Sequence, residues 1–358
     1  MQSRIGKFQK ILKAEKLNGF IVTNPTNIFY LCGFKGISQT EREAILVFNP
    51  KAILIVPRLY QNEAKKLASK DLKVAIVRER NELWETVKKN IKGKIGFEEN
   101  DLKYAEYRHF FQRSLMKMSM GHDFVEKMRV IKTADEIGKI EKAQIITQTA
   151  FEKLLPHIKI GQTEEEIADT LAKIIKNLGG HGLAFESIVA SGPNSGLPHH
   201  KTGKRQIAKG DVLLLDFGAK YQDYHADLTR TIFVGRAKDE HKNIYTHVQN
   251  AQKKALFAIA KGAKSSKVFH TANSHFKKQG LDKYFLHGLG HGVGLEIHEA
   301  PYLRAKTDQP LEPGMVTSVE PGLYFPWGGV RIEDLAEVKK GKVRVLGKTN
   351  RYLLELEA

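Results

Sequence analysis

Through the first 120 or so residues, short apolar runs alternate with stretches whose apolar positions recur every three or four residues. The helical spacing predicts helices over 5–17, 59–68, 82–90 and 102–111, and the runs between them predict strands over 19–22, 73–77 and 94–97. Residues 44–48 and 52–56 read as a hairpin over Asn49-Pro50-Lys51. Alternation of this kind predicts an α/β domain. Further on, two capping boxes, Thr133 to Glu136 and Thr163 to Glu166, open helices. The first has its buried stripe at Ile140, Ala143, Thr147, Ala150 and Leu154; the second has Ile167, Leu171, Ile174, Ile175 and Leu178 and stops at Gly179-Gly180. Strand pairs, helices over 240–260 and 266–278, and a second strand pair follow, so one order of elements recurs in the later half.

Carboxylates interrupt the segments that otherwise read as core. In the strand 212–217, side-chain alternation puts Asp216 on the face of Val212 and Leu214, where an unaccompanied charge is costly to desolvate. Asp216 and Asp227 are equidistant from Tyr221-Gln222, so a hairpin closing there sets them opposite each other. Glu320 and Glu333 stand in the same relation to Pro326-Trp327. Like charges about 5 Å apart repel unless a cation lies between them. Between the hairpins runs HGLGHGVGLEIH, whose Gly288, Gly290, Gly292 and Gly294 argue against a helix, so His287 and His291 are not the paired ligands of a zincin helix. Four carboxylates and an imidazole exceed the four ligands of one tetrahedral zinc and suit two ions about 3.5–4 Å apart. Taken singly, either aspartate could cap a turn, and Glu333 could pair with Arg331 on its own strand face.

In order and nearly in spacing, Asp216, Asp227, His291, Glu320 and Glu333 resemble the five metal ligands of the M24 metallopeptidases, the pita-bread family of methionine aminopeptidases, Xaa-Pro aminopeptidases and prolidases. The resemblance covers roughly 128–340 and implies an α+β pita-bread domain built of two pseudo-symmetric halves. It also implies two divalent ions per subunit, Mn²⁺, Co²⁺ or Zn²⁺. His298, seven residues after His291, matches the family histidine that contacts the tetrahedral intermediate. His199 resembles the substrate-binding histidine, with His200 the competing choice. Arg331 matches the arginine beside the last ligand, with a substrate-binding role implied, and His287 the outer histidine of H-G-x-G-H, with a catalytic role implied. Asn24 to Phe34 is similar to the N-x-x-Y-L-x-G-F stretch of creatinase-like N-terminal domains, which methionine aminopeptidases usually lack. The expected organisation is therefore an α/β creatinase-like domain over 1–125 and a pita-bread catalytic domain over 126–358.

Two positions depart from the pattern. Asp223 stands where relatives often have glycine, and Tyr302 stands where some prolidases place an arginine for the dipeptide carboxylate. The second departure favours an Xaa-Pro aminopeptidase as the main expectation, with Xaa-Pro dipeptidase as the alternative and a non-catalytic binding module as the rival from another class.

Composition changes this picture little. The net charge of +18 raises nucleic acid as a partner, but the lysines are dispersed and adjoin only in pairs such as Lys253-Lys254 and Lys277-Lys278, so a solvated surface is the expectation. A single cysteine, Cys32, excludes an intramolecular disulfide, and no apolar run is long enough for a signal peptide or a membrane span. These features predict a cytoplasmic protein, and the resemblance implies peptide substrates with proline second and a homodimer.

Overall fold

The structure, a computed structural model, describes residues 3–36, 38, 41–110, 117–121, 123–260, 262–348 and 350–357. The chain divides into two compact units, Met1–Arg129 and Val130–Ala358.

In the first unit, strands β1 (Gly19–Val22), β2 (Ile45–Phe48), β3 (Ala52–Pro57), β4 (Leu72–Val77), β5 (Lys94–Phe97) and β6 (Lys117–Met120) form one sheet in the order β4-β3-β2-β1-β5-β6. Helices α1 (Arg4–Ala14), α2 (Pro25–Cys32), α3 (Gln61–Leu67), α4 (Glu82–Asn90), α5 (Tyr104–Phe110) and α6 (Phe124–Val130) accompany it. The hairpin over Asn49-Pro50-Lys51 forms as expected, with Ile45 opposite Ile55. The 102–111 helix is shorter than expected, and Phe111 lies outside the described residues. The stretch after Asn24, for which the sequence assigns no element, is a helix: Asn24 accepts from the Asn27 N–H, Pro25 begins the first turn, and Gly33 at φ 81° ends it.

The second unit has two half-structures. Helices α7 (Ala134–Leu154) and α8 (Glu164–Asn177), each opened by its complete capping box, cover a sheet ordered β19-β11-β8-β7. Its strands are β7 (Ile188–Ser191), β8 (Val212–Phe217), β11 (Leu228–Val234) and β19 (Leu354–Leu356). Leu213, Leu215 and Phe217 of β8 join the core beneath α7 and α8, which leaves Val212, Leu214 and Asp216 on the other face. Helices α9 (Asp239–Ala260) and α10 (Ser265–Lys277) pack on a second sheet ordered β13-β12-β14-β17-β18. These strands are β12 (Gly290–Gly292), β13 (Glu299–Leu303), β14 (Val316–Val319), β17 (Asp334–Lys339) and β18 (Lys342–Val345). Two ribbons complete the unit, β9 (Lys220–Tyr221) with β10 (Tyr224–His225), and β15 (Gly322–Phe325) with β16 (Gly328–Arg331).

The first hairpin corrects the expected register. Tyr221 pairs with Tyr224, so the turn is Gln222-Asp223, and Asp216 lies opposite Thr229 rather than Asp227. Both turn residues have positive φ, 46° and 70°, the geometry of a two-residue turn that follows strand twist, and aspartate tolerates it. The shift is one residue on each strand, so parity holds and Asp227 becomes a diagonal neighbour of Asp216.

Candidate metal centre

The second hairpin keeps its expected register but splits between two sheets. Val319 pairs with Asp334 and Gly322 with Arg331, which places Glu320 and Glu333 across from each other where the ladder opens. Their N–H groups go elsewhere, Glu320 to Leu289 O at 2.9 Å and Glu333 to Thr229 O at 3.1 Å. Backbone that leaves its ladder here ties β12 and β11 to the carboxylates. His291 reaches the same place on β12, which is glycine-rich for a steric reason: a Cβ at Gly290 would stand 2.1 Å from Ser318 O.

These residues line one cleft of about 420 Å³ together with His199, His287, His298 and Arg331. Ligand atoms of Asp227, His291 and Glu333 all lie within 4.8 Å of one another. His291 Nε2 is 3.3 Å from Glu320 Oε1 and 3.7 Å from Asp227 Oδ2. Its Nδ1 faces Gly292 O at 3.1 Å and donates to it, which leaves Nε2, turned toward the carboxylates, as the nitrogen that would give up its proton to bind a metal.

Burial pushes the Asp227 carboxyl well above its usual range, and Glu333 and Asp216 push it further. Glu333 is driven up by burial and by Glu320. Burial also raises Asp216 against the pull of Arg331. Glu320 goes the other way: burial is outweighed by His291, His287 and Arg331, which hold it down at about 2. Burial depresses His291, but Glu320 more than restores it and its pKa is raised.

Asp216 Oδ1, Asp227 Oδ1 and Glu333 Oε1 are buried with no hydrogen-bond partner among the described residues. Each such oxygen costs about 1–3 kcal/mol. Orphaned carboxylate oxygens on Asp227 and Glu333, which group with His291, and on Asp216, which lines the same cleft, fit divalent cations, and among the described residues no donor satisfies them.

The surrounding groups form an ordered chain. Arg331, 3% exposed, donates to Asp216 Oδ2 at 2.6 Å, Tyr324 Oη at 2.7 Å, Thr229 Oγ1 at 3.1 Å and Pro198 O at 3.2 Å. His287 Nδ1 lies 2.6 Å from Gly288 O, so its Nε2 accepts from the Tyr324 hydroxyl at 2.7 Å. Burial keeps His287 below its usual pKa and lifts Tyr324 to about 12. His298 stands edge-on to His291 at 4.3 Å between centroids, its pKa lowered by burial and by His291. His199 lines the cleft, whereas His200 Nε2 is bonded to Glu164 at 2.8 Å.

Two residues in or behind the cleft wall escape sequence reasoning. Tyr324 links His287 to Arg331; its signal is the pair Gly322 and Gly329, since a Cβ at either would lie within 2.8 Å of the tyrosine. Arg304 lines the cleft with its guanidinium 4.6 Å over the Tyr302 ring and shares that residue's strand parity.

The fold and the cleft define a two-domain peptide hydrolase with a divalent-metal centre, a creatinase-type N-terminal domain preceding a pita-bread domain. The chain belongs to Metallopeptidase family M24, which it matches over residues 138–340, and residues 4–131 match the Creatinase/Prolidase N-terminal domain. It is 35% identical to the Xaa-Pro dipeptidase of Pyrococcus furiosus over 99% of this chain and 100% of that protein. Among solved structures it is similar to an Xaa-Pro dipeptidase from Bacillus anthracis, TM-score 0.92 at 34% identity over 99% of both chains. An X-Pro aminopeptidase from Thermotoga maritima superposes with TM-score 0.88 at 32% identity, covering 99% of this chain and 100% of that one. Among the described residues no helix is long and apolar enough to cross a membrane.

Proposed function

We propose that the protein is an Xaa-Pro dipeptidase, with Asp216, Asp227, His291, Glu320 and Glu333 holding two divalent ions. The grouping of the carboxylates of Asp227 and Glu333, each with an orphaned oxygen, with His291 carries the metal assignment. Bound divalent ions supply Lewis acidity and an activated water near neutral pH. His298 and His199 line the same cleft, and in this reading they donate to an oxyanion or a leaving nitrogen. Arg331 spends four N–H bonds on protein acceptors, so its part is to fix Asp216, Tyr324 and Pro198 rather than to grip substrate. Tyr324 and His287 extend that support along the wall of the cleft.

Dipeptidase is favoured over aminopeptidase by the similarity to Xaa-Pro dipeptidases and by Arg304. Tyr302 removes an arginine at one position, yet Arg304 brings a guanidinium to the same cleft, exposed and with no acidic partner among the described residues. A dipeptide ends in a carboxylate close to its scissile bond, and an arginine can take it bidentately. The test reconstitutes metal-free protein with Mn²⁺, Co²⁺ or Zn²⁺ and compares Xaa-Pro, Xaa-Pro-Yaa and Met-Ala-Ser. The dipeptide is expected to lead the matched tripeptide at least tenfold in kcat/KM, about 1.4 kcal/mol. Equal rates on the two would return the reading to an aminopeptidase, and preference for Met-Ala-Ser would end both.

A further inference from the structure

We propose that Glu164 is a positioning residue that, by gripping the loop on one side through His200, aims His199 into the cleft; the inference rests on the peptidase reading above. Glu164 lies in the first turn of α8, 0% exposed, and no sequence signal beyond its helix-start position marks it. Both of its oxygens are saturated by the last residue of β7 and the loop that follows it. Oε1 accepts from Ser191 N at 2.8 Å, Ser191 Oγ at 2.7 Å and Asn194 Nδ2 at 3.0 Å. Oε2 accepts from His200 Nε2 at 2.8 Å and Gly203 N at 3.3 Å. Burial alone would push this carboxyl up, but the Asn194, His200 and Ser191 donors outweigh it and hold its pKa below the usual value. It is an anion kept buried by donors drawn from a single stretch of chain.

The opposite side of that loop is pinned by the β15–β16 ribbon. Arg331 Nη1 donates to Pro198 O at 3.2 Å and Gly329 N to Ser195 Oγ at 2.9 Å. A Cβ at Gly196 would stand 2.4 Å from Phe325 O, so the loop is seated directly on the ribbon's backbone. The residues on either side of His199 are therefore both tethered, Pro198 to Arg331 and His200 to Glu164. The His199 side chain makes no hydrogen bond of its own among the described residues, and its direction is set by those two neighbours. Orientation held this way matters because a displacement of about 1 Å at a reacting group can cost on the order of 100-fold in rate.

A double-mutant cycle on the Mn²⁺-loaded full chain tests the brace. Glu164→Gln and, as a milder variant that leaves the other four bonds in place, His200→Ala are each combined with His199→Ala. Xaa-Pro hydrolysis, Mn²⁺ affinity and Tm are measured for every protein. Each single change is expected to lower kcat/KM about 10- to 100-fold at unchanged Mn²⁺ affinity, and neither should lower it further once His199 is gone. Losses that multiply with His199→Ala, losses that follow Mn²⁺ affinity, or wild-type kinetics in both variants would overturn the proposal. A wild-type protein inert to all Xaa-Pro peptides would sink the peptidase reading instead. Hydrogen exchange over 191–203 then decides the brace without substrate: lost protection at unchanged Tm supports it, and unchanged protection overturns it.

Discussion

Buried carboxylates occur in both units, and their partners differ. In the N-terminal unit Glu98, 5% exposed, accepts from Thr23 N at 2.6 Å, Asn24 N at 2.7 Å and Asn27 Nδ2 at 2.6 Å, pinning the start of α2. In the second unit Asp227 and Glu333, 4% and 1% exposed, each keep one oxygen with no partner among the described residues. Burial raises all three pKa values, Glu98 to about 8. A raised pKa alone therefore does not separate a structural carboxylate from a ligand. Unsatisfied oxygens do, because they mark where the fold leaves a cost that a proton relieves at low pH and a cation at neutral pH.

The comparison breaks most visibly at the ligands. Asp227→Asn and Glu320→Gln each remove ligand charge at nearly constant volume, so kcat/KM after metal reconstitution should fall at least about 1,000-fold, about 4 kcal/mol. The metal-free Asp227→Asn protein should melt no lower than the wild type, since repulsion with Glu333 and Asp216 is gone. Activity within tenfold of wild type in either variant would remove these residues from the ligand set.

Metal removal comes next. In the metal-free protein Asp227 and Glu333 stand above their ordinary values of 3.8 and 4.5. A raised folded-state pKa contributes stability that is fully present below the unfolded value and is lost as pH rises through the folded one. His291, also raised, acts in the same direction, while Glu320, at about 2, is already ionised and adds no slope. His287 and His298, both depressed, act the other way up to the ordinary histidine value of 6.5, so the fall in metal-free Tm should show above it, between about pH 7 and 8. Divalent ions displace those protons, and at about 1,000 times their Kd they add about 4 kcal/mol, so the gap between loaded and metal-free protein widens with pH. A metal-free Tm that climbs across this range would contradict the assignment.

The satisfied site should respond differently. Glu98→Gln keeps an oxygen for the Thr23 and Asn24 N–H groups but turns an amide nitrogen toward Asn27 Nδ2. A loss of about 1–3 kcal/mol in the stability of the N-terminal unit is expected, read by hydrogen exchange in α2, with Mn²⁺ affinity unchanged. Weakened Mn²⁺ binding would show that Glu98 is no mere structural acceptor.

Much of this arrangement is legible along the chain because it depends on period and symmetry. The capping boxes of α7 and α8 and the hairpin centred on Pro326-Trp327 follow from local spacing. The Gln222-Asp223 turn was misplaced because strand symmetry fixes parity but not the positive-φ pair that closes the ribbon. Helix α2 escaped because Asn-Pro is both a turn signal and a helix start, and only the tertiary acceptor Glu98, 75 positions from Thr23, decides between them. Tyr324, Arg304 and Glu164 were invisible for a related reason. Their partners are distant in sequence: His287 is 37 positions from Tyr324, and His200 is 36 from Glu164.

The smallest expected effect concerns Arg304, where the comparison turns from buried acids to a cation with no acidic partner among the described residues. Its guanidinium stacks on Tyr302 and lines the cleft near His298, whose pKa it helps to lower. Stacking fixes the plane of the guanidinium and leaves its N–H edge available to a planar anion. Arg304→Met preserves much of the side chain's length and its contact with the ring while deleting the charge. It should lower kcat/KM for an Xaa-Pro dipeptide about tenfold, about 1.4 kcal/mol, and leave the corresponding Xaa-Pro amide, which has no carboxylate, unchanged. Added salt should weaken wild-type turnover of the dipeptide more than that of the amide, because the pair lies at an exposed position. Equal losses on dipeptide and amide would mean that Arg304 shapes the cleft without reading the carboxylate, and the preference for dipeptides would then need another source.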